Sequence, residues 1–352
     1  MFFQKNEKSS METEIFEQPQ IIEHLIKTYI DANNDINIDV PKDIEKIVFV
    51  ASGSSYNSAR FAADLFGDIA SIEARAMYSS EFLLKSAVPH DKNLLYVFIT
   101  QSGETSDTNK ALARAKEFGV LTLCVTNKVN STIWQASDYK MDCHAGEEKS
   151  IAATKSFTAQ MFCLTVLALK YACLKGIDIK HYVDEIKSIP ENMQNAFEIL
   201  PEIKVFAKFI TKFKNVIVTA DGISYSLARE EALKIKETSF LNVSANILGE
   251  FMHGHVAVLN NKAVLIYLTI NNLGFTAIKN LNKIKNDYNP PICIIGNPND
   301  KVDANFELNI NCESEIVKAF VISVIIQLLA LESAKFLNRN VDKPHGLNKV
   351  VV

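Results

Sequence analysis

The chain has no excess of positive charge, no closely spaced cysteine pair and no apolar run long enough to cross a bilayer. Each absence excludes something. Lys and Arg total 37 against 41 Asp and Glu, a net charge of −4. The basic footprint of a nucleic-acid binder is missing, so nucleic acid is not expected as a partner. Any phosphate bound here must be held mostly by local dipoles and hydroxyl groups. The six cysteines, Cys124, Cys143, Cys163, Cys173, Cys293 and Cys312, form no CxxC motif. Several lie in apolar runs, where a thiol acts as a small hydrophobe, and the set reads as reduced thiols of a cytoplasmic protein. Met1-Phe2-Phe3 is too short for the apolar region of a signal peptide. The most apolar segment, Ala319 to Leu331, contains Ser323 and Gln327 and stops at Glu332. A span needs ~20 apolar residues, so this segment reads as a buried helix and no membrane partner is expected.

What is present is a large potential core: 352 residues, 48% hydrophobic, enough for one large domain or two ordinary ones. Residues 1–45 read as an acidic helical lead-in that ends at Pro41. Strand patterns follow at 46–51, 74–78, 94–99, 120–125 and 139–143, with helical stretches between them. That alternation predicts a parallel sheet covered by helices. Residues 155–213 carry no strand pattern and read as a long helical pair, broken near Gly176 and near Pro190. Strands resume at 215–220, 263–269, 291–296 and 306–311, and a last buried helix covers 314–337. The tail from Asn338 is polar and irregular, with Pro344 and Gly346. Its apolar end, Val350-Val351-Val352, suggests a docked terminus.

The second half echoes the first. Val48-Phe49-Val50-Ala51-Ser52-Gly53-Ser54-Ser55-Tyr56 resembles Val216-Ile217-Val218-Thr219-Ala220-Asp221-Gly222-Ile223-Ser224-Tyr225, with one inserted residue. Ala59-Arg60 then matches Ala228-Arg229, and Ala63 matches Ala232. The period is too long for a solenoid and points to two related α/β lobes. The division expected is a lead-in over 1–45, lobe 1 over 46–175, a helical linker over 176–204, lobe 2 over 205–337 and a tail over 338–352.

Two turns carry the first chemical signal. Gln101-Ser102-Gly103-Glu104-Thr105-Ser106-Asp107-Thr108 follows an apolar strand, and Ser52-Gly53-Ser54-Ser55-Tyr56-Asn57 follows another. Helix N-termini have unpaired N–H groups and a partial positive charge. With hydroxyls beside them they suit a phosphate. Two such turns suggest one phosphorylated small molecule between them.

Other residues have proton-transfer chemistry. Glu230, Lys234 and Glu237 stand at i, i+4 and i+7, on one helix face. Leu233, Phe240 and Leu241 flank Glu237, an apolar stripe that would partly desolvate it and suit it to act as a base. The alternative is a surface glutamate paired with Lys234 or Lys236. In Gly249-Glu250-Phe251-Met252-His253-Gly254-His255, His253 could shuttle protons. A solvated loop histidine, or a metal pair with His255, are the alternatives, and no third ligand has recognisable spacing. Lys349, if the tail is docked, could attack a carbonyl; if not, it is a solvated lysine. The loop Glu147 to Ser156 opens the long helix with Thr154 as a candidate N-cap. Its acidic start fits sugar hydroxyls or an amine better than phosphate.

Taken in order, these motifs resemble the sugar isomerase (SIS) family, most closely the isomerase half of the glucosamine-6-phosphate synthases. The resemblance starts near Met11, with Glu14-Ile15-Phe16-Glu17-Gln18-Pro19. It continues through both hydroxyl-rich turns, Ala153-Thr154-Lys155-Ser156-Phe157-Thr158, Ala232 to Glu237, Gly249-Glu250…His253-Gly254 and Leu347…Lys349. It implies an α/β fold of two SIS lobes, each a three-layer αβα sandwich with a mainly parallel sheet, in a homodimer with a shared active site. It implies a hexose 6-phosphate held by Ser55, Gln101, Ser102 and Thr105, with Thr100 where Ser is usual. Ser52, Gly53, Ser54, Ala152 and Ala153 join the substrate-binding set. Glu237 would move a proton between C1 and C2, supported by Lys234 and Glu230. His253 of the neighbouring subunit would help open the ring, and Lys349 would form a Schiff base with a ketose. No metal or organic cofactor is implied.

The departures bear on the reaction. The glutaminase domain of the synthases, with its N-terminal Cys, is not in this sequence. Glu148 to Lys155 and Leu347-Asn348-Lys349-Val350 are more similar to SIS-type amino-sugar phosphate deaminases. His255 replaces a Pro, and His345-Gly346 replace an Arg-Asn pair. The expected activity is therefore conversion of glucosamine 6-phosphate to fructose 6-phosphate and ammonia. A fructosamine-6-phosphate deglycase, a simple phosphosugar isomerase and a non-catalytic sugar-phosphate sensor are the alternatives.

Overall fold

A computed structural model describes residues 8–297 and 301–349. The terminal segments Met1-Phe2-Phe3 and Val350-Val351-Val352 lie outside the described residues. The chain opens with helices α1 (Ser10–Phe16) and α2 (Gln18–Tyr29). Lobe 1 follows as β1 (Lys46–Ala51), α3 (Gly53–Ala70), β2 (Glu73–Tyr78), α4 (Ser79–Leu83), β3 (Leu94–Thr100), α5 (Ser106–Glu117), β4 (Leu121–Thr126), α6 (Thr132–Ala136) and β5 (Tyr139–Asp142). Helices α7 (Lys155–Leu174), α8 (Lys180–Lys187), α9 (Ile189–Asn195) and α10 (Leu200–Ile210) lead to lobe 2. That lobe holds β6 (Asn215–Ala220), α11 (Ser224–Ser239), β7 (Asn242–Ile247), α12 (Leu248–Phe251), β8 (Ala263–Asn272), α13 (Phe275–Tyr288), β9 (Ile292–Asn297), β10 (Phe306–Asn309) and α14 (Glu315–Phe336).

Each lobe has one five-stranded sheet, ordered β2-β1-β3-β4-β5 in the first and β7-β6-β8-β9-β10 in the second. All the pairings are parallel. The two orders are the same topology, which is the structural counterpart of the sequence echo. In each, the winding reverses between the first strand and the third. Parallel strands are buried on both faces, and alternate side chains leave opposite faces. Thus Ile47, Phe49 and Ala51 of β1 join a core that runs through both lobes, while Val48 and Val50 join a separate cluster on the outer face.

Two helices, α7 and α14, are long and apolar enough to cross a membrane by length and composition, but 83% and 100% of their apolar windows are buried inside the protein. Mean amphipathicity is low because both are enclosed on all sides, as expected of central core helices. All six cysteines are free, and Cys124, Cys143, Cys163 and Cys293 are buried.

Three sequence expectations need correction. The segment 155–213 breaks near Gly176 and near Pro190 as expected, but it forms four α-helices and a 3-10 turn rather than a pair; Pro190 sits in the first turn of α9, where its missing N–H costs nothing. Strand β7 was not foreseen. Its core-facing signal is weak, since Asn242 and Ser244 are exposed on a sheet edge. Finally, α11 ends at Ser239, because Phe240 takes a left-handed conformation (φ 60°) and is 45% exposed. Phe240 and Leu241 therefore do not continue an apolar stripe beside Glu237.

Candidate active site

A cavity of about 680 Å³ opens at the C-terminal edge of the lobe 1 sheet. It lies where β1 and β3 end, at the point of reversed winding, and such crevices are where open α/β sheets bind ligands. Ser52, Gly53, Ser54 and Ser55 line it from the β1 side, and Thr100, Gln101, Ser102 and Thr105 from the β3 side. At both places a helix starts without a side-chain cap: Ser52 precedes α3 and Thr105 precedes α5, and neither side chain closes its helix. Instead the Thr105 hydroxyl lies 2.8 Å from that of Thr100. The first N–H groups of two helices thus remain available to an anion. Gly103 is obligatory in this turn. Its φ is +69°, and a Cβ there would come within 2.0 Å of Ser131 Oγ and 2.4 Å of Ser131 Cβ.

The far wall comes from lobe 2. Helical spacing brings Glu230, Lys234 and Glu237 to one face of α11, as the sequence predicts. Lys234 and Glu237 line the cavity, whereas Glu230 is fully buried behind it and does not. Lys234 Nζ lies 2.6 Å from Glu237 Oε2 and 3.6 Å from Glu230 Oε1. The lysine is itself buried, so this is not a surface ion pair. Burial alone would push its ammonium toward deprotonation; the Glu237 and Glu230 carboxylates outweigh that and hold its pKa above the ordinary value. Burial raises Glu230, opposed by the charge of Lys234 and a hydrogen bond from Asn57. That bond, Asn57 Nδ2 to Glu230 Oε2 at 2.7 Å, crosses between the lobes. Asn57 Oδ1 in turn accepts from Arg229 Nε at 3.2 Å, and Arg229 sits over the stacked rings of Tyr56 and Tyr78.

The tail closes a third side. Lys349 lines the cavity and donates from Nζ to the Ser150 carbonyl at 2.7 Å and to the Glu148 carboxylate. Glu148 has no exposed side-chain surface. Burial would raise its pKa, but the Lys349 ammonium and the N–H groups of Ser156 and Thr154 hold it below the usual carboxylate range. Its Oε1 accepts from Thr154 N at 2.9 Å and Ser156 N at 3.0 Å, and Oε2 from Ser156 Oγ at 2.7 Å. Thr154 occupies the N-cap position of α7 but makes no cap bond with its side chain; Glu148, six residues earlier, does that work. The amine this acidic loop binds is the protein's own Lys349.

Two other expected residues lie elsewhere. Ala153 lines the cavity, but Ala152 is fully buried and does not. His253 is exposed on lobe 2 and does not line the cavity of its own chain. Glu148, Ser156 and Gln160 line it and were not singled out in the sequence. The only signal for Glu148 was the acidic start of its loop.

Two five-stranded parallel sheets of matching order, with hydroxyl-rich turns at one switch point, define a duplicated α/β architecture. Residues 42–170 and 209–335 match the family model described as SIS domain, and the chain belongs to the SIS domain family. It is 28% identical over 361 residues to a glutamine–fructose-6-phosphate aminotransferase [isomerizing] of Bartonella henselae, a match covering 98% of this chain and 59% of that protein. The namesake of Aquifex aeolicus is 28% identical over 347 residues, covering 98% of this chain and 58% of its own length. The chain thus spans under two thirds of these relatives. The C-terminal domain of glucosamine-fructose-6-phosphate aminotransferase from Francisella tularensis superposes with a TM-score of 0.89 at 26% identity, covering 96% of this chain and 99% of that one. A glucosamine-6-phosphate deaminase from Thermotoga maritima shares the fold, with a TM-score of 0.78 at 20% identity over 97% of this chain and 99% of that one.

Proposed function

We propose that this protein is a phosphosugar aldose–ketose isomerase that deaminates its substrate, converting glucosamine 6-phosphate and water to fructose 6-phosphate and ammonia in the cytoplasm. The observation that carries this reading is a single cavity with two chemically distinct ends. One end offers uncapped helix N-termini and hydroxyls, which suit a phosphate. The other offers Glu237 ion-paired to Lys234, with Lys349.

In this reading the 6-phosphate rests on Ser55, Gln101, Ser102 and Thr105, which places C1 and C2 toward α11. His253 from a neighbouring subunit helps open the ring. Glu237 then takes the proton from C2, giving an enolamine, and returns it to C1, leaving a ketimine at C2. Water adds to the ketimine and ammonia departs, so the product is the ketose. Buried Lys234 holds the Glu237 carboxylate in place through their 2.6 Å ion pair. Lys349 holds the ketose, either by hydrogen bonding or as a Schiff base that forms with loss of water.

The test is to follow ammonia and fructose 6-phosphate from glucosamine 6-phosphate in one reaction. Equal yields of the two are expected. Glu237→Gln should lower turnover by about 10²–10⁴-fold, the usual worth of a positioned general base, and leave phosphosugar binding nearly intact. Tight binding without release of either product would overturn the proposal.

A further inference from the structure

We propose that helix α1, which contributes no residue to the cavity wall, is a clasp that positions Lys349 by holding both chain segments that meet there. The first segment is the loop after β5. Glu14 is 4% exposed, and its Oε1 accepts the N–H groups of Lys149 and Ser150. Those residues adjoin both partners of Lys349, the Ser150 carbonyl and the Glu148 carboxylate. The second segment is the tail. The Asp342 carboxylate accepts Ser10 N at 2.8 Å and Met11 N at 2.9 Å. These are first-turn N–H groups of α1, which have no partner within the helix. A further ion pair, Lys335 to Glu12 at 2.9 Å, ties the same helix to the end of α14.

The loop and the tail are some 200 residues apart in sequence, and α1 binds one with each end of two helical turns. Burial raises the pKa of Glu14, and the nearby Glu148 adds to it. Glu14, Glu148 and Lys349 therefore share one electrostatic neighbourhood, and Glu14 acts on Lys349 through the loop rather than on a substrate. The inference builds on the reading of Lys349 as a group that meets the sugar, but its test does not require any substrate.

The experiment is acetylation of the full chain with an amine-reactive ester, with each lysine followed by peptide mass spectrometry. Lys349 is compared with exposed Lys343 in wild type, Glu14→Ala, Glu14→Gln and Asp342→Ala. Loss of either carboxylate acceptor should free Lys349, raising its relative labelling by about tenfold in Glu14→Ala and Asp342→Ala; Glu14→Gln, which keeps an acceptor oxygen, should stay within about twofold of wild type. Unchanged labelling in Glu14→Ala or in Asp342→Ala overturns the arm of the clasp that variant tests. Asp342 lies at the surface end of the clasp, so its variant carries the test if Glu14→Ala does not fold. With glucosamine 6-phosphate, both alanine variants should lose kcat and keep KM; equal loss of both would mark a merely structural role. If no turnover of that sugar exists, the labelling result still decides the clasp.

Discussion

Asn57 on the first helix of lobe 1 donates to Glu230 on the first helix of lobe 2, across 2.7 Å of fully enclosed space. The two residues are 173 positions apart. Their bond ties α3, which starts at the cavity, to the helix that carries Lys234 and Glu237. Asn57→Ala should therefore act on both stability and turnover. It leaves a buried carboxylate oxygen unpaired, at a cost of about 1–3 kcal/mol, and removes a constraint on Lys234. A thermal melt and a kcat measurement on the same sample check this. A variant with wild-type melting and wild-type kcat would refute the coupling.

Glu231, the next residue, gives a pH prediction. It is fully buried, and among the described residues neither of its oxygens has a hydrogen-bond partner. Burial alone pushes its pKa from 4.5 to about 8. A carboxyl raised on folding favours the folded state fully below its unfolded value, and that advantage is lost as pH rises to the folded value. Stability should thus fall between about pH 4.5 and pH 8. From pH 5.5 to pH 8 the loss is on the order of 3 kcal/mol, at 1.36 kcal/mol per pH unit. Glu231→Gln stays neutral throughout and should flatten this slope, read from urea titrations at the two pH values. Identical slopes in the variant and the wild type would contradict a neutral buried acid.

His253 and Lys349 give a prediction about assembly. His253 is exposed and outside its own chain's cavity, while Lys349 is inside it. If a homodimer shares its sites, His253→Ala and Lys349→Ala will each be inactive alone. Mixed after dissociation, half the dimers are hybrids with one intact site of two. Activity should recover to about a quarter of wild type in a two-fold symmetric dimer. No recovery, with hybrids demonstrated by native mass spectrometry, would place His253 elsewhere in the mechanism.

Much of the fold was legible because local chemistry dictates it. Leu94–Ile99 reads as an apolar run and becomes, with Thr100, a strand buried at every position, since a central parallel strand has no wet face. The helical face of Glu230, Lys234 and Glu237 follows from the 3.6-residue period alone. The echo between Val48–Tyr56 and Val216–Tyr225 predicts two lobes, and the sheets repeat one strand order. Strand β7 escaped because an edge strand with Asn242 and Ser244 facing water carries little alternation. The helix stop at Phe240 escaped because a left-handed phenylalanine has no sequence signature.

By itself, then, the sequence determined most of the strands and helices, that the halves are related, and where hydroxyl-rich turns meet helix starts. These depend on neighbours a few residues apart. Tertiary structure alone decided which charged groups find partners far away in the chain. Glu148 meets Lys349, 201 positions away, and Glu14 meets Lys149, 135 positions away. A buried charge needs a partner wherever the packed chain supplies one, and the two sheets and their helices, not sequence spacing, set that place.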